Sequence, residues 1–212
     1  MSQGCDFELQ PRLVFFTDFD GTITRKDSND LPSSNLGFGE AMLKASDLAV
    51  LEGRKSFRDS FIEQMHSIDG TLEECAEYQC KHADLDPGFA KFFKWAKASG
   101  VRVIVLSAGL EPLIRALIGH LLGTEAAAEL QIISNEAVSW QDPCGNTRRN
   151  WQVKLHDSTE FGMDKSIHIQ AYAKRLGHVP KNKRPTLLFA GDGVSVQLVC
   201  GKVGRRTLRK GG

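Results

Sequence analysis

The sequence lacks the features that would point to a membrane-spanning, secreted or nucleic-acid-binding protein. No uncharged apolar stretch reaches the roughly 18 residues that a membrane-spanning helix needs. The N-terminus has no apolar segment of the kind found in secretory signals. A formal net charge of +1 gives no basis for a polyanionic partner. We therefore expect no membrane association and no nucleic-acid partner.

Cysteines are few, and they form no paired motif. The five cysteines are odd in number, and none is spaced as Cys-x-x-Cys. Disulfide frameworks and zinc sites usually show even numbers or such paired spacing, so reduced thiols are the simplest interpretation. Reduced thiols favour an intracellular protein, and we predict a cytoplasmic location.

The most informative stretch joins a buried strand to two carboxylates. Residues 13–16 are four consecutive apolar residues, a pattern typical of a strand buried on both faces. Asp18 and Asp20 follow, and side chains two residues apart point to the same side of an extended backbone. Gly21 allows the backbone to turn, and Thr22 places a hydroxyl just beyond it. Such a turn can simply close a strand, but carboxylates at the end of a buried strand are typical of α/β active sites.

The chain beyond residue 86 alternates helix and strand patterns, which predicts an α/β fold. Short apolar runs predict the strands, and amphipathic runs between them predict the helices. This alternation favours a parallel, Rossmann-like sheet flanked by helices, with right-handed crossovers. The predicted strands are residues 101–106, 131–134 and 186–190, the predicted helices are 89–100, 113–122 and 165–176, and residues 138–140 and 151–156 are predicted to form an edge hairpin.

Residues 27–86 differ from the rest because apolar residues recur there at helical spacing among charged ones. Thr71 and Glu74 have the spacing of a helix N-cap with its capping-box glutamate. The segment is too long for a simple crossover, so we predict a small helical cap inserted after the first strand. A stack of ordinary peripheral helices is the alternative. The α/β core domain is then predicted at residues 11–26 and 87–200.

The composition changes after Ser195. We predict that residues 201–212 form a solvated, disordered basic tail rather than a nucleic-acid-binding segment. An altered reading frame or a retained intron beyond Ser195 would explain the change and would leave the C-terminal edge of the sheet incomplete. The basic residues after Ser195, which no acidic residue accompanies, are Lys202, Arg205, Arg206, Arg209 and Lys210.

The strand followed by Asp18-x-Asp20-Gly21-Thr22 resembles the first motif of the haloacid dehalogenase-like phosphatases. The resemblance extends over roughly residues 13–195 and is closest to the phosphoserine phosphatase-like branch, in particular to fungal-type small phosphatases of unsettled substrate. It implies that Asp18 is the nucleophile and Asp20 the general acid and base. An ionised carboxylate attacks phosphorus well, and the acyl phosphate that forms can be opened by water.

Later positions match the other motifs of the family. Ser107 matches the residue that hydrogen-bonds the phosphoryl group, with Ala108 and Gly109 beside it as substrate-binding positions. Lys165 matches the lysine that offsets the phosphoryl charge, although standing alone it would be an ordinary exposed helix lysine. Asp192 matches the acidic magnesium-binding motif. The resemblance therefore implies that Asp18, Asp192 and the main-chain carbonyl of Asp20 hold a Mg²⁺ ion.

The predicted cap contains the positions that choose the substrate in this branch. Asp27 falls where phosphoserine phosphatases place a glutamate that contacts the substrate amine. Thr22, in the predicted core, is a further substrate-binding position. Gln64 falls where they place a carboxylate-binding arginine, and an amide cannot form the same charged pair. Arg54 and Arg58 could take over that role. We expect a small phosphorylated metabolite as substrate, with phosphoserine disfavoured.

The fourth motif departs from the family pattern, which has a second aspartate three residues after the Gly-Asp-Gly. Val196 stands at that position, so a carboxylate that would support the metal through water is missing. We expect an unusually high Mg²⁺ requirement as a result. Two hypotheses follow. The first is a Mg²⁺-dependent phosphatase that forms an aspartyl-phosphate intermediate. The second is a catalytically impaired relative that binds phosphorylated ligands without efficient turnover.

Overall fold

The computed structural model describes residues 11–145 and 147–192. The predictions for Val196, for the basic tail and for the C-terminal edge of the sheet lie outside the described residues. Within them, no helix is long and apolar enough to cross a membrane.

Five strands form one mostly parallel sheet in the described part of the chain. Side by side, the strands are β4 (Trp151–Lys154), β3 (Gln131–Ser139), β2 (Arg102–Leu110), β1 (Leu13–Thr17) and β5 (Thr186–Ala190). Strand β1 pairs in parallel with β2 and with β5, and β2 pairs in parallel with β3. Only β3 and β4 run antiparallel within this sheet. The predicted α/β class is confirmed.

Helices flank the sheet and fill the segment between β1 and β2. Those before residue 86 are α1 (Asp30–Asn35), α2 (Glu40–Leu51), α3 (Phe57–His66) and α4 (Leu72–His82). Those after it are α5 (Pro87–Ala98), α6 (Glu111–Leu122), α7 (Thr124–Glu129) and α8 (Lys165–Arg175), with short 3₁₀ turns at Leu176–His178 and Lys181–Lys183. Residues 27–86 are thus largely helical, as predicted, whereas their division from the core as a separate cap domain stays a prediction.

Strand β1 is covered on both faces, as its apolar sequence predicts. Val14 and Phe16 are buried in a cluster with Ile104. On the opposite face, the Phe15 ring packs against Phe92 of α5 with a centroid distance of 4.8 Å. A strand enclosed in this way holds the residues that follow it in a fixed place, and Asp18 is the first of these.

The third strand is longer than its sequence predicts. Residues 131–134 and 138–140 were expected to belong to separate strands, but one strand runs from Gln131 to Ser139. Its first half pairs with β2, at Ile132 with Val105, and its second half pairs with β4, at Val138 with Gln152. Because β4 takes over from β2 as the pairing strand, the backbone stays extended through residues 135–137, which the sequence predicts to separate two strands. Strand β2 also continues beyond the predicted residue 106, with a shift in register before Leu110.

The start of α4 confirms the predicted capping box. The Thr71 hydroxyl accepts a hydrogen bond from the Glu74 N–H at 3.2 Å, and the Glu74 carboxylate accepts one from the Thr71 N–H at 2.9 Å. This cap satisfies two backbone donors that the helix start would otherwise leave unpaired. It fixes the beginning of a helix whose far half reaches the loop after β1.

Candidate active site

Asp18 and Lys165 meet in a nearly buried ion pair at the carboxyl end of β1. The Lys165 Nζ lies 2.5 Å from Asp18 Oδ2, and the two side chains are only 10% and 8% exposed. The Asp18 N–H donates to the carbonyl of Ala190 at 2.8 Å, which ties this position to the end of β5. The structure thus brings together two residues that the sequence predicted to share a site, and Lys165 is not an ordinary solvated lysine.

The first turn of α8 places Lys165 there. Asp164 caps the helix, accepting hydrogen bonds from the Ser166 N–H at 2.9 Å and the Ser166 hydroxyl at 2.6 Å. The Asp164 N–H in turn donates to Asp157 Oδ2 at 2.7 Å. Because the cap and the loop before it are both fixed, Lys165 enters the site from a rigid helix end.

Asp192 lies against the turn that follows β1. Gly21 has φ of +71°, and a Cβ added to it would lie 2.0 Å from Asp192 Oδ2. Only glycine therefore leaves room for this carboxylate and adopts the turn without strain. The predicted magnesium ligands, Asp18, Asp192 and the carbonyl of Asp20, all belong to this turn or lie next to it.

The donors at this place suit Mg²⁺. In residues 11–145 and 147–192, no three Asp, Glu, His or Cys side chains are grouped closely enough to hold a metal alone. The predicted set has only two side chains, and its third donor is a main-chain carbonyl. Mg²⁺ prefers oxygen ligands and usually keeps several waters, so few protein ligands are enough. The residues present fit the ion.

Asp20 is held by neutral hydrogen-bond donors. Its Oδ1 accepts from the Ser28 N–H at 2.8 Å and from the Ser28 hydroxyl at 2.7 Å, and its Oδ2 lies 3.3 Å from Asn29 Nδ2. Poor hydration raises the pKa of Asp20 well above its usual range, the charge of Asp27 adds to this, and the two Ser28 bonds oppose it. A carboxyl with such a pKa can hold the proton that a general acid donates.

Asn29 lies between the first motif, at Asp20, and the motif at the end of β2, at Gly109. The sequence analysis does not single it out. Its Nδ2 also donates to Asp27 Oδ1 at 2.9 Å. Its Oδ1 lies 3.3 Å from where a Cβ of Gly109 would be, so the small residue at 109 makes room for it. The available signal was the run of four hydrogen-bonding residues at 27–30, directly after the first motif.

The predicted phosphoryl-binding residues lie in the last part of β2, where the pairing with β3 shifts in register. Ser107 is buried, and its Oγ accepts from the Gly109 N–H at 3.0 Å. The carbonyl of Ala108 accepts from Asn135 Nδ2 at 2.6 Å, and Asn135 Oδ1 accepts from the His156 N–H at 2.8 Å. Asn135 is a fully buried residue of β3 that the sequence analysis does not single out, and it supports this part of β2 from the neighbouring strand.

Thr22 carries an unsatisfied hydroxyl. Its Oγ1 is buried and has no hydrogen-bond partner among the residues that the structure describes. Buried hydroxyls normally find a partner, so this one is compatible with the predicted substrate-binding role, which stays a prediction.

The predicted selectivity residues occupy two places in the helical segment. Gln64 is nearly buried on α3, where its Nε2 approaches Asp47 Oδ1 at 3.4 Å. Arg54 pairs with Glu52, and it lines a cavity of about 380 Å³ next to the turn between α2 and α3. The Arg58 N–H donates to the carbonyl of Glu160 at 2.8 Å, close to the same turn. The structure thus places the two arginines together at this turn and Gln64 further along α3, beside a carboxylate.

Carboxylates dominate the electrostatics beside Asn29. The pKa of Asp30 is raised to about 7, first by burial and then by the negative charges of Asp27 and Asp47. These residues lie on the loop after β1, on α1 and on α2. This side of the site is therefore rich in carboxylate oxygens, which accept hydrogen bonds.

Known proteins with similar sequences identify the family. A family model described as haloacid dehalogenase-like hydrolase matches residues 15–195. The chain belongs to this family. The match includes Asp18, Lys165 and Asp192, and it confirms the resemblance predicted from the first motif.

Two fungal relatives of this haloacid dehalogenase-like hydrolase match most of its length. Pdp3-interacting factor 1 of Schizosaccharomyces pombe is 41% identical over 184 residues, which cover 87% of this chain and 76% of the relative. Polyol phosphate phosphatase PYP1 of Saccharomyces cerevisiae is 41% identical over 187 residues, which cover 87% of this chain and 75% of that relative. A phosphoserine phosphatase of Halobacterium salinarum is 30% identical over 100 residues, which cover 47% of this chain and 46% of that protein. These matches confirm the predicted enzyme class, a phosphoric monoester hydrolase.

Solved structures show the same fold. A haloacid dehalogenase family hydrolase of Salmonella enterica has a TM-score of 0.66 at 20% identity, with 92% of this chain and 61% of that chain covered. A substrate-bound phosphoserine phosphatase has a TM-score of 0.62 at 18% identity, with 91% of this chain and 83% of that chain covered. These structures share the predicted α/β fold.

We predict that Asp30→Asn stabilises this hydrolase at about pH 8 and has no such effect near pH 4. The folded protein keeps the Asp30 proton up to about pH 7, whereas the unfolded chain releases it near the usual pKa of about 3.9. Between these values the folded state binds more protons, so the carboxyl makes stability fall as the pH rises. The measurement is Tm at both pH values.

The control for this prediction is Glu125→Gln, at an exposed position of α7. It should change Tm little at either pH. An increase in Tm for Asp30→Asn that is equal at both pH values would contradict the electrostatic explanation.

Proposed function

We propose that the chain is a Mg²⁺-dependent phosphatase that hydrolyses a small phosphorylated metabolite through a phosphoaspartate at Asp18. The ion pair of Asp18 with Lys165 is the observation that carries this proposal, because it combines an oxygen nucleophile with a fixed positive charge beside the place where phosphate would bind. Asp20, with its raised pKa, supports it.

In the first step an Asp18 carboxylate oxygen attacks phosphorus while the bond from phosphorus to the leaving oxygen breaks. The proton of Asp20 passes to that leaving oxygen, and the alcohol departs. Lys165 offsets the negative charge of the nucleophile and of the phosphoryl oxygens. The Ser107 hydroxyl, near the end of β2, would donate to one of these oxygens.

In the second step Asp20, now ionised, takes a proton from a water molecule whose oxygen attacks phosphorus. The bond between phosphorus and the Asp18 oxygen breaks, which releases inorganic phosphate and restores both carboxyl groups to their starting states. Mg²⁺, held by Asp18, Asp192 and the Asp20 carbonyl, would neutralise phosphate charge in both steps. The same aspartate thus serves as acid first and base second.

We further propose that the substrate is a phosphorylated polyol. One relative at 41% identity is named a polyol phosphate phosphatase. The carboxylates of Asp27, Asp30 and Asp47 accept hydrogen bonds from hydroxyl groups and repel a substrate carboxylate. Gln64 next to Asp47 adds an amide where a carboxylate-binding site would need a cation. Together these groups favour a neutral, hydroxyl-rich substrate over phosphoserine.

A ligand-binding relative without efficient turnover is the second candidate, and the valine at position 196 favours it. It differs from a phosphatase in one observable, the release of inorganic phosphate. The intact contacts among Asp18, Lys165, Asp20 and Ser28 favour the phosphatase.

We predict that Asp18→Asn lowers phosphate release by more than about 1,000-fold, because an amide is not a competent nucleophile. The measurement is phosphate release from a polyol phosphate and from an aryl phosphate with Mg²⁺, alongside Tm to show that the variant folds. Glu125→Gln is again the control and should retain full activity.

Near-normal release by the folded Asp18→Asn variant would exclude the proposed mechanism. No release by the unmodified protein on any phosphomonoester, with Mg²⁺ in excess, would favour the ligand-binding candidate.

We predict that Gln64→Arg raises kcat/KM for phosphoserine, relative to a polyol phosphate, by about tenfold. One charge-assisted hydrogen bond to the substrate carboxylate, worth about 1.5 kcal/mol, gives an effect of this size. The measurement is the ratio of the two kcat/KM values. Gln64→Leu removes the amide without adding a charge and should bring no gain on phosphoserine. Equal losses on both substrates in both variants would place Gln64 in the packing of α3 instead.

A further inference from the structure

Gln79 of α4 is a fully buried amide that contacts the loop carrying Ser28. Its side chain has 0% exposure, and its Nε2 donates to the main-chain carbonyl of Ser28 at 2.7 Å. The orientation of the amide follows from this contact, because a carbonyl oxygen can only accept. Gln79 Oε1 is then buried with no partner among the described residues.

Such an amide is a poor choice for packing alone. An apolar side chain of similar size would fill the same volume without burying an unpaired acceptor. The useful part of Gln79 is therefore the hydrogen bond that it donates. That bond reaches across the fold, from the second half of α4 to the loop after the first motif.

Ser28 links the hydrogen bond from Gln79 to the Asp20 carboxyl group. The peptide group that follows Ser28 is planar, so fixing its carbonyl oxygen also fixes the Asn29 N–H on the other side. That N–H donates to Asp27 Oδ1 at 2.8 Å. The N–H and hydroxyl of Ser28 both donate to Asp20 Oδ1, at 2.8 Å and 2.7 Å. Gln79, Ser28 and Asp20 thus form one continuous chain of hydrogen bonds.

We propose that Gln79 is a positioning residue for the acid–base group: it holds Ser28, and Ser28 holds the Asp20 carboxyl in line with the leaving oxygen. The inference rests on the proposed phosphatase function. Gln79 touches no reacting atom, and it acts through the main chain of the loop. Placement of a general acid is sensitive to small displacements, since an error of about 1 Å can cost about 100-fold in rate.

Substrates with different leaving groups separate this role from a merely structural one. A polyol phosphate releases an alkoxide, which must receive the Asp20 proton as the bond to phosphorus breaks. p-Nitrophenyl phosphate releases a stable phenolate, which needs no proton. The ratio kcat/KM reports the steps up to and including phosphoenzyme formation. Because the leaving group departs in that step, its need for a proton affects kcat/KM. Opening of the phosphoenzyme is common to both substrates and affects kcat alone.

The experiment compares Gln79→Leu with the unmodified protein on both substrates. We expect kcat/KM to fall by about 10- to 100-fold on the polyol phosphate and by less than about threefold on p-nitrophenyl phosphate. Ser28→Ala, which leaves α4 unchanged and removes one of the two hydrogen bonds that Ser28 donates to Asp20, should shift the ratio in the same direction by a smaller factor. This second variant keeps the test decisive if Gln79→Leu does not fold.

Cys75→Ala is the matched control. Cys75 lies one turn earlier on α4, is fully buried and packs with Phe61 and Met65. Its truncation lowers Tm by creating a cavity. It should leave the ratio of the two kcat/KM values unchanged, because its contacts are with the apolar cluster and not with Ser28.

Asp20→Asn distinguishes failure of this inference from failure of the proposed function. It should show a larger leaving-group selectivity than Gln79→Leu. Selectivity in Asp20→Asn with equal losses on both substrates in Gln79→Leu and Ser28→Ala would overturn the positioning role alone. Absence of selectivity in Asp20→Asn would overturn the acid role of Asp20, and with it the role assigned to Gln79.

Discussion

The buried ion pair of Asp18 and Lys165 is the interaction on which the site depends. Each charge would be costly at its nearly buried position without the other, because neither is well hydrated. The pair forms only when β1, β5 and the first turn of α8 are all in place. The α/β core therefore holds the proposed nucleophile at the end of a sheet strand, and the helices between β1 and β2 supply the groups around it.

Two aspartates only two residues apart have different surroundings, which fits the different roles proposed for them. Asp18 contacts the cationic side chain of Lys165. Asp20 contacts the hydroxyl and amide donors of Ser28 and Asn29, and the charge of Asp27 is nearby. Different environments for two neighbouring carboxyl groups are a general means by which one site provides both a nucleophile and an acid. Here the second environment comes from the helical segment, through the chain that begins at Gln79.

The sequence predicted well what short motifs and apolar runs encode. Strands β1 and β5, the start of α8 at Lys165 and the capping box at Thr71 follow from local patterns, and all are present. The continuous β3 could not be predicted, because its middle residues remain extended only through pairing with Lys154 and Val153 of β4. Asn29, Gln79 and Asn135 were missed for a related reason. Gln79 and Asn135 lie on a helix and a strand, where a polar residue resembles a surface position until tertiary packing buries it against a backbone carbonyl. Asn29 lies in a polar loop, and its contacts with the Asp20 and Asp27 carboxylates exist only in the folded chain.

Chemical trapping of the intermediate tests the central claim most directly. The protein is mixed with a polyol phosphate and Mg²⁺, quenched during turnover and treated with borohydride, which reduces an aspartyl phosphate to homoserine. Peptide mass spectrometry then locates the reduced residue. The account predicts homoserine at position 18, and none at that position when substrate is omitted. Steady release of phosphate with no reduction at Asp18, or with reduction at another carboxylate, would contradict it.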